Sequence, residues 1–258
     1  MAVIRLDLAY DGTDFRGFAK QPRARTVQGT LEQALHSILG AGPRVSVAGR
    51  TDAGVHAEGQ VVSFQAETDP SRLQRSLNSM LAPEIVVRRA RRAPAGFDAR
   101  HSATGREYRY RIRTAEVPDP FTARYEWHRP GRYAMAAMRK AARLLEGEHD
   151  FASFGRSRKD GASTRRHLRR LALRRNGDLL DVLAVADSFL HQMVRSLVGT
   201  LVAVGDGRLE PEGMPGILEA RSRQAAGPVA PPDGLVLVAV RYGTIPRTRT
   251  RSRLAGEK

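Results

Sequence analysis

The chain of 258 residues and 28.4 kDa is long enough for one large domain or two small ones, and its 41% hydrophobic and 27% charged residues exclude general disorder. No apolar run approaches the roughly 18 residues of a membrane span, and the absence of cysteine excludes disulfides, thiolate zinc sites and a cysteine nucleophile, so we expect a soluble, cytoplasmic protein. Lys and Arg number 43 against 27 Asp and Glu, and the net charge of +16 is typical of proteins that bind nucleic acids.

Residues 1–97 carry the strand and helix patterns of one folded unit. Alternation of apolar and polar residues predicts strands, and apolar residues at helical spacing predict helices. The predicted elements, in chain order, are a strand at 3–10, a helix at 27–39, strands at 45–48 and 61–66, a helix that starts at Asp69-Pro70 and a strand at 85–87. This βαββαβ order is that of a ferredoxin-like unit.

Residues 98–243 repeat the same order with one extra helix. The predicted elements are a strand at 108–113, a helix at 135–145, strands at 168–175 and 179–186 around an Asn-Gly turn, a long helix at 188–204, a shorter helix near 211 and a strand at 235–242. Two such units predict an α+β fold in which two antiparallel sheets lie side by side with a cleft between them. The basic tail, 244–258, has no apolar face to bury and is predicted to be disordered.

Three groups of arginines strengthen the expectation of a polyanionic partner. They lie at 88–92, 156–175 and 247–253. Arginines in such groups bind phosphates and fix the register of a nucleic acid rather than read its bases. A basic surface can also be plain solvated surface, and charge alone leaves that reading open.

A loop between the second and third predicted strands carries an arginine and an aspartate between two glycines, Gly49-Arg50-Thr51-Asp52-Ala53-Gly54. The glycines allow a tight turn that presents the Asp52 carboxylate at a sheet end, with the Arg50 cation two residues away. Asp52 could also do no more than hydrogen-bond its own turn, as most loop aspartates do.

Polar residues interrupt the long apolar helix predicted at 188–204. His191 and Arg195 are four residues apart and would share one face of that helix. A buried arginine must meet an anion, so Arg195 could pair with any carboxylate, or with Asp52 while it reaches a phosphate or base in the cleft. The pattern alone leaves both open, and Tyr108 could likewise be a core aromatic.

The sequence shows no motif for a metal or a nucleotide cofactor. None of the seven histidines has metal-ligand spacing to another, and the glycine-rich phosphate-binding motifs are missing. We therefore expect an activity that uses neither.

Several blocks of the sequence match a known family in order and spacing from about Val3 to Tyr242. The most specific blocks are Gly49-Arg50-Thr51-Asp52-Ala53-Gly54-Val55-His56 and Phe189-Leu190-His191-Gln192-Met193-Val194-Arg195, and Tyr108-Arg109-Tyr110 is another. On these blocks the chain resembles the tRNA pseudouridine synthase A family. The resemblance implies the pseudouridine synthase fold, in which two related α+β halves join into one sheet.

The resemblance also implies a homodimeric enzyme without a cofactor. Such an enzyme converts uridine to pseudouridine in the anticodon stem-loop of tRNA, at positions 38, 39 and 40. By position, Asp52 would be the catalytic aspartate, Tyr108 the tyrosine that contacts the target base, and Arg195 the arginine that pairs with the aspartate. The other residues expected to bind the substrate are Arg50, which would act when the base is flipped, His56 and His191.

The implied reaction explains why these residue types would be needed. Isomerisation breaks the C1′–N1 bond of uridine, turns the freed uracil and rejoins it through C5, so no water or metal is a reactant. One carboxylate can start it by attacking the sugar, by attacking the base or by removing a sugar proton, and a neighbouring cation stabilises a carboxylate. The sequence leaves all three routes open.

Two other hypotheses remain at this point. A non-catalytic RNA-binding protein of two ferredoxin-like units fits the charge and the strand order. Such modules stack bases on paired aromatics of their central strands, and the segment 61–65 offers only Phe64, which favours the enzyme. A pseudouridine synthase that acts on other RNA positions also fits, because substrate choice depends on surface shape.

Overall fold

The computed structural model of the chain describes residues 1–40, 42–157 and 161–243. Within these residues, ten strands form one sheet: β1 (Ala2–Tyr10), β2 (Ser46–Val47), β3 (His56–Ala66), β4 (Ile85–Ala93), β5 (Ala103–Arg113), β6 (Trp127–His128), β7 (Gly147–Asp150), β8 (Arg165–Asn176), β9 (Leu179–Ala186) and β10 (Leu235–Tyr242). Five α-helices accompany them: α1 (Val27–Leu39), α2 (Pro70–Leu81), α3 (Met135–Leu145), α4 (Met193–Gly205) and α5 (Met214–Ala220). Short 3-10 turns lie at 123–125, 211–213 and 223–225.

The ends of α1 and α2 follow from their capping residues. Thr26 accepts a hydrogen bond from the Gly29 amide at the start of α1, and Gly40 ends the helix in the left-handed conformation, with φ of 69°. Asp69 caps the first turn of α2, where Pro70 needs no hydrogen-bond partner. These contacts confirm the helices predicted for the first unit.

The last strand joins the two predicted units into one sheet. The strand order is β4-β1-β3-β10-β5-β9-β8-β7, with β2 beside β3 and β6 beside β5. β10 runs antiparallel to β5 and pairs in parallel with the start of β3, where Val236 faces His56 and Leu237 faces Ala57. We call this parallel pairing the seam. The α+β fold with two sheets side by side is confirmed, whereas the division of the chain at residue 97 stays a prediction.

One continuous hydrophobic core connects the helices to the sheet across the seam. β1 alternates buried and partly exposed residues, as its sequence predicts. α4 is buried almost all round, which explains why its apolar residues follow no single face. No helix among the described residues is long and apolar enough to cross a membrane.

The structure differs from several of the predictions of local structure, and β5, like β3, begins five residues before its predicted start. The long helix predicted from 188 begins only at Met193, because Gln192 adopts a left-handed conformation, with φ of 63°. His191 therefore lies before α4, and the argument that it shares a helix face with Arg195 is wrong. β3 starts at His56, five residues earlier than predicted, since its first residues pair with β10. The short strands β6 and β7 carry too few residues for alternation to show and were not predicted.

Two predicted features fall outside the described residues. The tail 244–258 and its arginine group, 247–253, are not described, and neither are residues 158–160 of the second arginine group. The first arginine group lies on β4, at the edge of the sheet.

The seam depends on a glycine next to it. A Cβ at Gly59 would lie 2.2 Å from the Val238 carbonyl oxygen, far inside van der Waals contact with rigid backbone. We expect Gly59→Ala to lower the free energy of unfolding by about 1–3 kcal/mol, because β10 must move away from β3. Urea unfolding followed by circular dichroism measures the change.

Gly216→Ala is the matched control for this prediction. A Cβ at Gly216, in α5, meets nothing within 4 Å, so the substitution should leave stability unchanged or raise it slightly. Equal stabilities for the two variants would contradict the proposed tight approach at the seam.

Candidate active site

A cleft of about 990 Å³ opens where residues from both predicted units meet. Two chain segments, together called the cleft floor here, contribute most of their residues to its lining: the Asp52 loop, 48–55, and the His191 segment, 187–192, which leads into α4. The cleft brings together five of the six predicted site residues: Arg50, Asp52, Tyr108, His191 and Arg195.

Two basic side chains face the Asp52 carboxylate. His191 Nε2 lies 3.3 Å from Asp52 Oδ1, and Arg195 Nη1 lies 3.8 Å from Asp52 Oδ2. The three side chains are 19%, 14% and 16% exposed for His191, Arg195 and Asp52, so water screens these contacts less than it would on an open surface. The sequence left open whether Arg195 pairs with Asp52 or with some other carboxylate, and the structure shows Asp52.

Arg195 is held in place by the chain segment that precedes β10. Its Nε donates a hydrogen bond to the Ala230 carbonyl at 2.7 Å, and the Ala230 amide donates to the Arg195 carbonyl at 3.1 Å. This two-way contact fixes the guanidinium group while one of its nitrogen atoms faces the carboxylate.

The Asp52 loop is anchored from the first unit by buried polar groups. Gln60, on β3, donates to the Gly49 carbonyl at 2.7 Å. The Tyr10 hydroxyl, on β1, is 2.8 Å from the Thr51 hydroxyl, and the Phe18 amide donates to the Thr51 carbonyl at 3.1 Å. Gln60 was not predicted as a site residue, because the sequence of β3 also carries Glu58, Ser63 and Gln65 and does not show that Gln60 is buried.

Arg106 anchors both segments of the cleft floor at once. Its guanidinium donates to the Ala48 carbonyl at 2.6 Å, at the start of the Asp52 loop, and to the Asp187 carbonyl at 2.8 Å, at the start of the His191 segment. It also reaches the carbonyls of Arg100 and Ala103. Burial lowers the pKa of this guanidinium, but arginine stays charged at any ordinary pH. Sequence reasoning missed this contact, because its partners lie far away along the chain.

The two tyrosines of β5 have different environments. Tyr110 is fully buried, donates to the Pro231 carbonyl at 2.8 Å and has a raised pKa because of burial, so it is a core residue. Tyr108 lines the cleft, and its ring meets Phe189 edge to face, with centroids 5.2 Å apart. Tyr108 is only 7% exposed, but it is the one of these two tyrosines that borders the cleft.

His56 is placed differently from the prediction. It is buried, its Nδ1 accepts a hydrogen bond from the Gly12 amide at 3.0 Å, and it lies 3.1 Å from Asp11. It is not among the residues that line the cleft, because its side chain packs beneath the loop that follows β1 and against Tyr125. The structure thus places His56 beside the seam and away from this cleft, and its expected contact with a substrate stays a prediction.

Comparison with known proteins identifies the family. A family model described as "tRNA pseudouridine synthase" matches residues 8–102 and 141–243. The chain belongs to this family. A relative from Geobacillus sp. (strain WCH70), named tRNA pseudouridine synthase A, is 42% identical over 93% of this chain and 98% of its own length. A protein of the same name from Halalkalibacterium halodurans is 44% identical over 92% of this chain and 91% of its own.

Family membership makes the chain an enzyme of the isomerase class with the pseudouridine synthase fold. A solved structure titled "Crystal Structure of a Cbf5-Nop10-Gar1 Complex" matches 78% of this chain and 54% of its own, with 11% identity and a TM-score of 0.35. The family match contains Asp52, His191 and Arg195, whereas Tyr108 lies between its two matched ranges.

The mouth of the cleft in this pseudouridine synthase is basic. Besides Arg195, which faces Asp52, and Arg106, its lining includes five further arginines: Arg44, Arg50, Arg100, Arg156 and Arg166. Arg156 and Arg166 belong to the second arginine group that the sequence singled out. Because a guanidinium group binds phosphate with two parallel donors, this rim suits a polyanionic ligand.

Tyr10 makes the anchoring of the Asp52 loop sensitive to alkaline pH. Burial raises the pKa of its phenol from 10.0 to about 12, so the hydroxyl stays protonated in the folded chain while it ionises in the unfolded chain. The contribution of the Tyr10 phenol to the free energy of unfolding is therefore complete below pH 10 and is lost as the pH rises toward 12. We expect wild type to lose about 2 kcal/mol more than Tyr10→Phe over that interval.

Urea unfolding of both proteins at several pH values between 8 and 12 measures this difference. The other buried tyrosines are present in both proteins, so their contributions cancel. Tyr10→Phe should be the less stable protein near neutral pH, because the Thr51 hydroxyl and the Gln60 amide lose a partner. Parallel stability curves for the two proteins would contradict the prediction.

Proposed function

We propose that this chain converts uridine to pseudouridine in the anticodon stem-loop of tRNA, at positions 38, 39 and 40, and that Asp52 starts the reaction. The observation that carries the proposal is the half-buried Asp52 carboxylate, which faces Arg195 and His191 in a cleft with a basic mouth. The relatives' name supports tRNA as the substrate. The positions and the homodimeric state belong to the same proposal and rest on the resemblance, and a cytoplasmic location is proposed from the cysteine-free sequence.

The reaction needs one carboxylate and no added reactant. The C1′–N1 bond of uridine breaks, the uracil turns within the cleft, and a C1′–C5 bond forms. The proton on C5 is released, and N1 ends with a proton, so the product has the same atoms as the substrate. Asp52 starts the cleavage, and the positive charge of Arg195 is fixed opposite the carboxylate before substrate arrives.

Tyr108 and Arg50 are the residues proposed to receive the target nucleotide. A uridine within or beside a stem must leave the base stack, which costs a few kcal/mol and is offset by contacts in the enzyme pocket. The Tyr108 ring lines the cleft in an orientation that Phe189 fixes, so it is placed to contact the flipped base. Arg50 is exposed two residues from Asp52, where it can hold the flipped nucleotide.

The arginines at the cleft mouth are proposed to bind phosphates of the stem-loop. Each phosphate contact releases condensed counterions, so tRNA affinity should fall steeply as the salt concentration rises. This part of the binding is independent of Asp52, which lies deeper between His191 and Arg195.

Tritium release from tRNA labelled at C5 of uridine tests the proposal. Wild type should release tritium, whereas Asp52→Asn should release it at least about 1000-fold more slowly, because the replacement amide cannot start the cleavage. The affinity for tRNA, measured by fluorescence anisotropy at fixed salt, should change only a few-fold. Asn is the matched substitution, since it preserves the shape of Asp and removes only its charge.

A second tRNA transcript tests whether positions 38, 39 and 40 are the ones modified. It carries cytidine at 38, 39 and 40, with compensating changes in the paired strand, and should release no tritium. Full activity of Asp52→Asn would contradict the role of the aspartate, and release from the second transcript would contradict the positions. If wild type binds tRNA and releases nothing, the non-catalytic RNA-binding hypothesis or a different RNA substrate replaces this proposal.

A further inference from the structure

Arg156, His191 and Asp52 form a row of contacts across the floor of the cleft. Arg156 Nε donates a hydrogen bond to His191 Nδ1 at 3.3 Å. On the other side of the same ring, His191 Nε2 lies 3.3 Å from Asp52 Oδ1. The two ring nitrogen atoms of His191 therefore face groups of opposite charge.

The chemistry of these groups fixes the proton on His191. A guanidinium group donates hydrogen bonds and cannot accept them, so the Nδ1 atom that faces Arg156 must be the unprotonated nitrogen. The neutral imidazole then carries its proton on Nε2, which faces the Asp52 carboxylate. An imidazolium would instead place an N–H group against the guanidinium, where like charges repel.

The backbone holds His191 in this place. The His191 amide donates to the Arg156 carbonyl at 3.1 Å, and the two residues form an isolated antiparallel bridge. Gly155 permits the close approach, since a Cβ there would lie 2.7 Å from the His191 carbonyl oxygen. The left-handed conformation of Gln192 then turns the chain into α4, which carries Arg195.

The row restricts the rotation of the Asp52 carboxylate. Oδ1 faces His191, and Oδ2 faces Arg195 at 3.8 Å. Because the two oxygens face different partners on different parts of the chain, turning the carboxylate would separate it from one of them. Misplacement of a reacting group by about 1 Å can lower a rate by about 100-fold.

We propose that His191 is a positioning residue, which donates from Nε2 to orient the Asp52 carboxylate, and that Arg156 selects the tautomer of His191 that can do so. This inference rests on the proposed function of Asp52. It replaces the expectation that His191 binds the substrate directly.

Nuclear magnetic resonance tests the tautomer without any need for activity. Long-range ¹H–¹⁵N spectra of the full chain labelled with ¹⁵N-histidine distinguish the Nε2–H tautomer, the Nδ1–H tautomer and the imidazolium. The His191 signal is assigned by its loss in His191→Gln. We expect the Nε2–H tautomer in wild type and a mixture of both tautomers in Arg156→Met.

Arg166→Met is the matched control for this spectrum. Arg166 also lines the cleft, but it donates hydrogen bonds to the carbonyls of Ser163 and Arg165, so the His191 tautomer should not change in this variant. An Nδ1–H tautomer or an imidazolium in wild type at pH 7.5 would overturn the proposal. An unchanged tautomer in Arg156→Met would overturn the part assigned to Arg156.

Kinetics test the positioning role with two amide variants. The amide nitrogen of Gln sits close to the place of Nε2, and that of Asn sits close to the place of Nδ1. His191→Gln should therefore keep kcat within a few-fold of wild type, and His191→Asn should lower kcat by about 10- to 100-fold with little change in KM. Thermal melting confirms that both variants fold.

The kinetic outcomes separate this inference from the proposed function. Equal kcat values for the two variants, or a change confined to KM, would overturn the positioning role. If wild type shows no tritium release, the function of Asp52 fails, while the tautomer spectrum still decides the structural part of the inference.

Discussion

The pairing of β10 with the start of β3 is the contact on which the candidate site depends. β3 begins at His56, directly after the Asp52 loop, so the strand that ends the loop is also the strand that meets β10. The segment leading to β10 supplies the Ala230 carbonyl that fixes Arg195. A shift of β10 would therefore move the cation and the carboxylate relative to each other, even though the seam itself pairs only two residues on each strand.

Hydrogen bonds from three side chains hold the Asp52 loop and the His191 segment in place. Gln60 and Tyr10 hold the Asp52 loop from one side, and Arg106 ties it to the His191 segment from the other. Removing one partner would leave buried carbonyl or hydroxyl groups without a hydrogen bond, at a cost of about 1–3 kcal/mol each. The site is thus arranged before substrate binds, which is the condition under which fixed charges contribute most to a reaction.

The sequence predicted the parts of this fold that depend on local pattern. Alternation and capping residues located β1, α1 and α2, and the Asn-Gly turn located the hairpin of β8 and β9. The resemblance pointed to Asp52, Tyr108 and Arg195, which the structure brings into one cleft.

The rest depends on contacts between distant parts of the chain. His191 was predicted on a helix because apolar periodicity does not register the left-handed turn at Gln192. His56 was expected to bind the substrate because it ends the sequence block that carries the resemblance, whereas the structure places it beside β10, under the loop after β1. Arg106 contacts carbonyl groups 58 and 81 residues away, and a periodic pattern contains no information about such partners.

The central claim is that the Arg195 cation, held by the segment that precedes β10, acts on the Asp52 carboxylate. The most direct measurement is the single-turnover rate of pseudouridine formation by Arg195→Met and Arg195→Lys with saturating enzyme. Arg195→Met should react at least about 100-fold more slowly than wild type while it binds tRNA normally, and Arg195→Lys should lie between them because it keeps the charge and loses the fixed geometry. A wild-type rate for Arg195→Met would contradict the account.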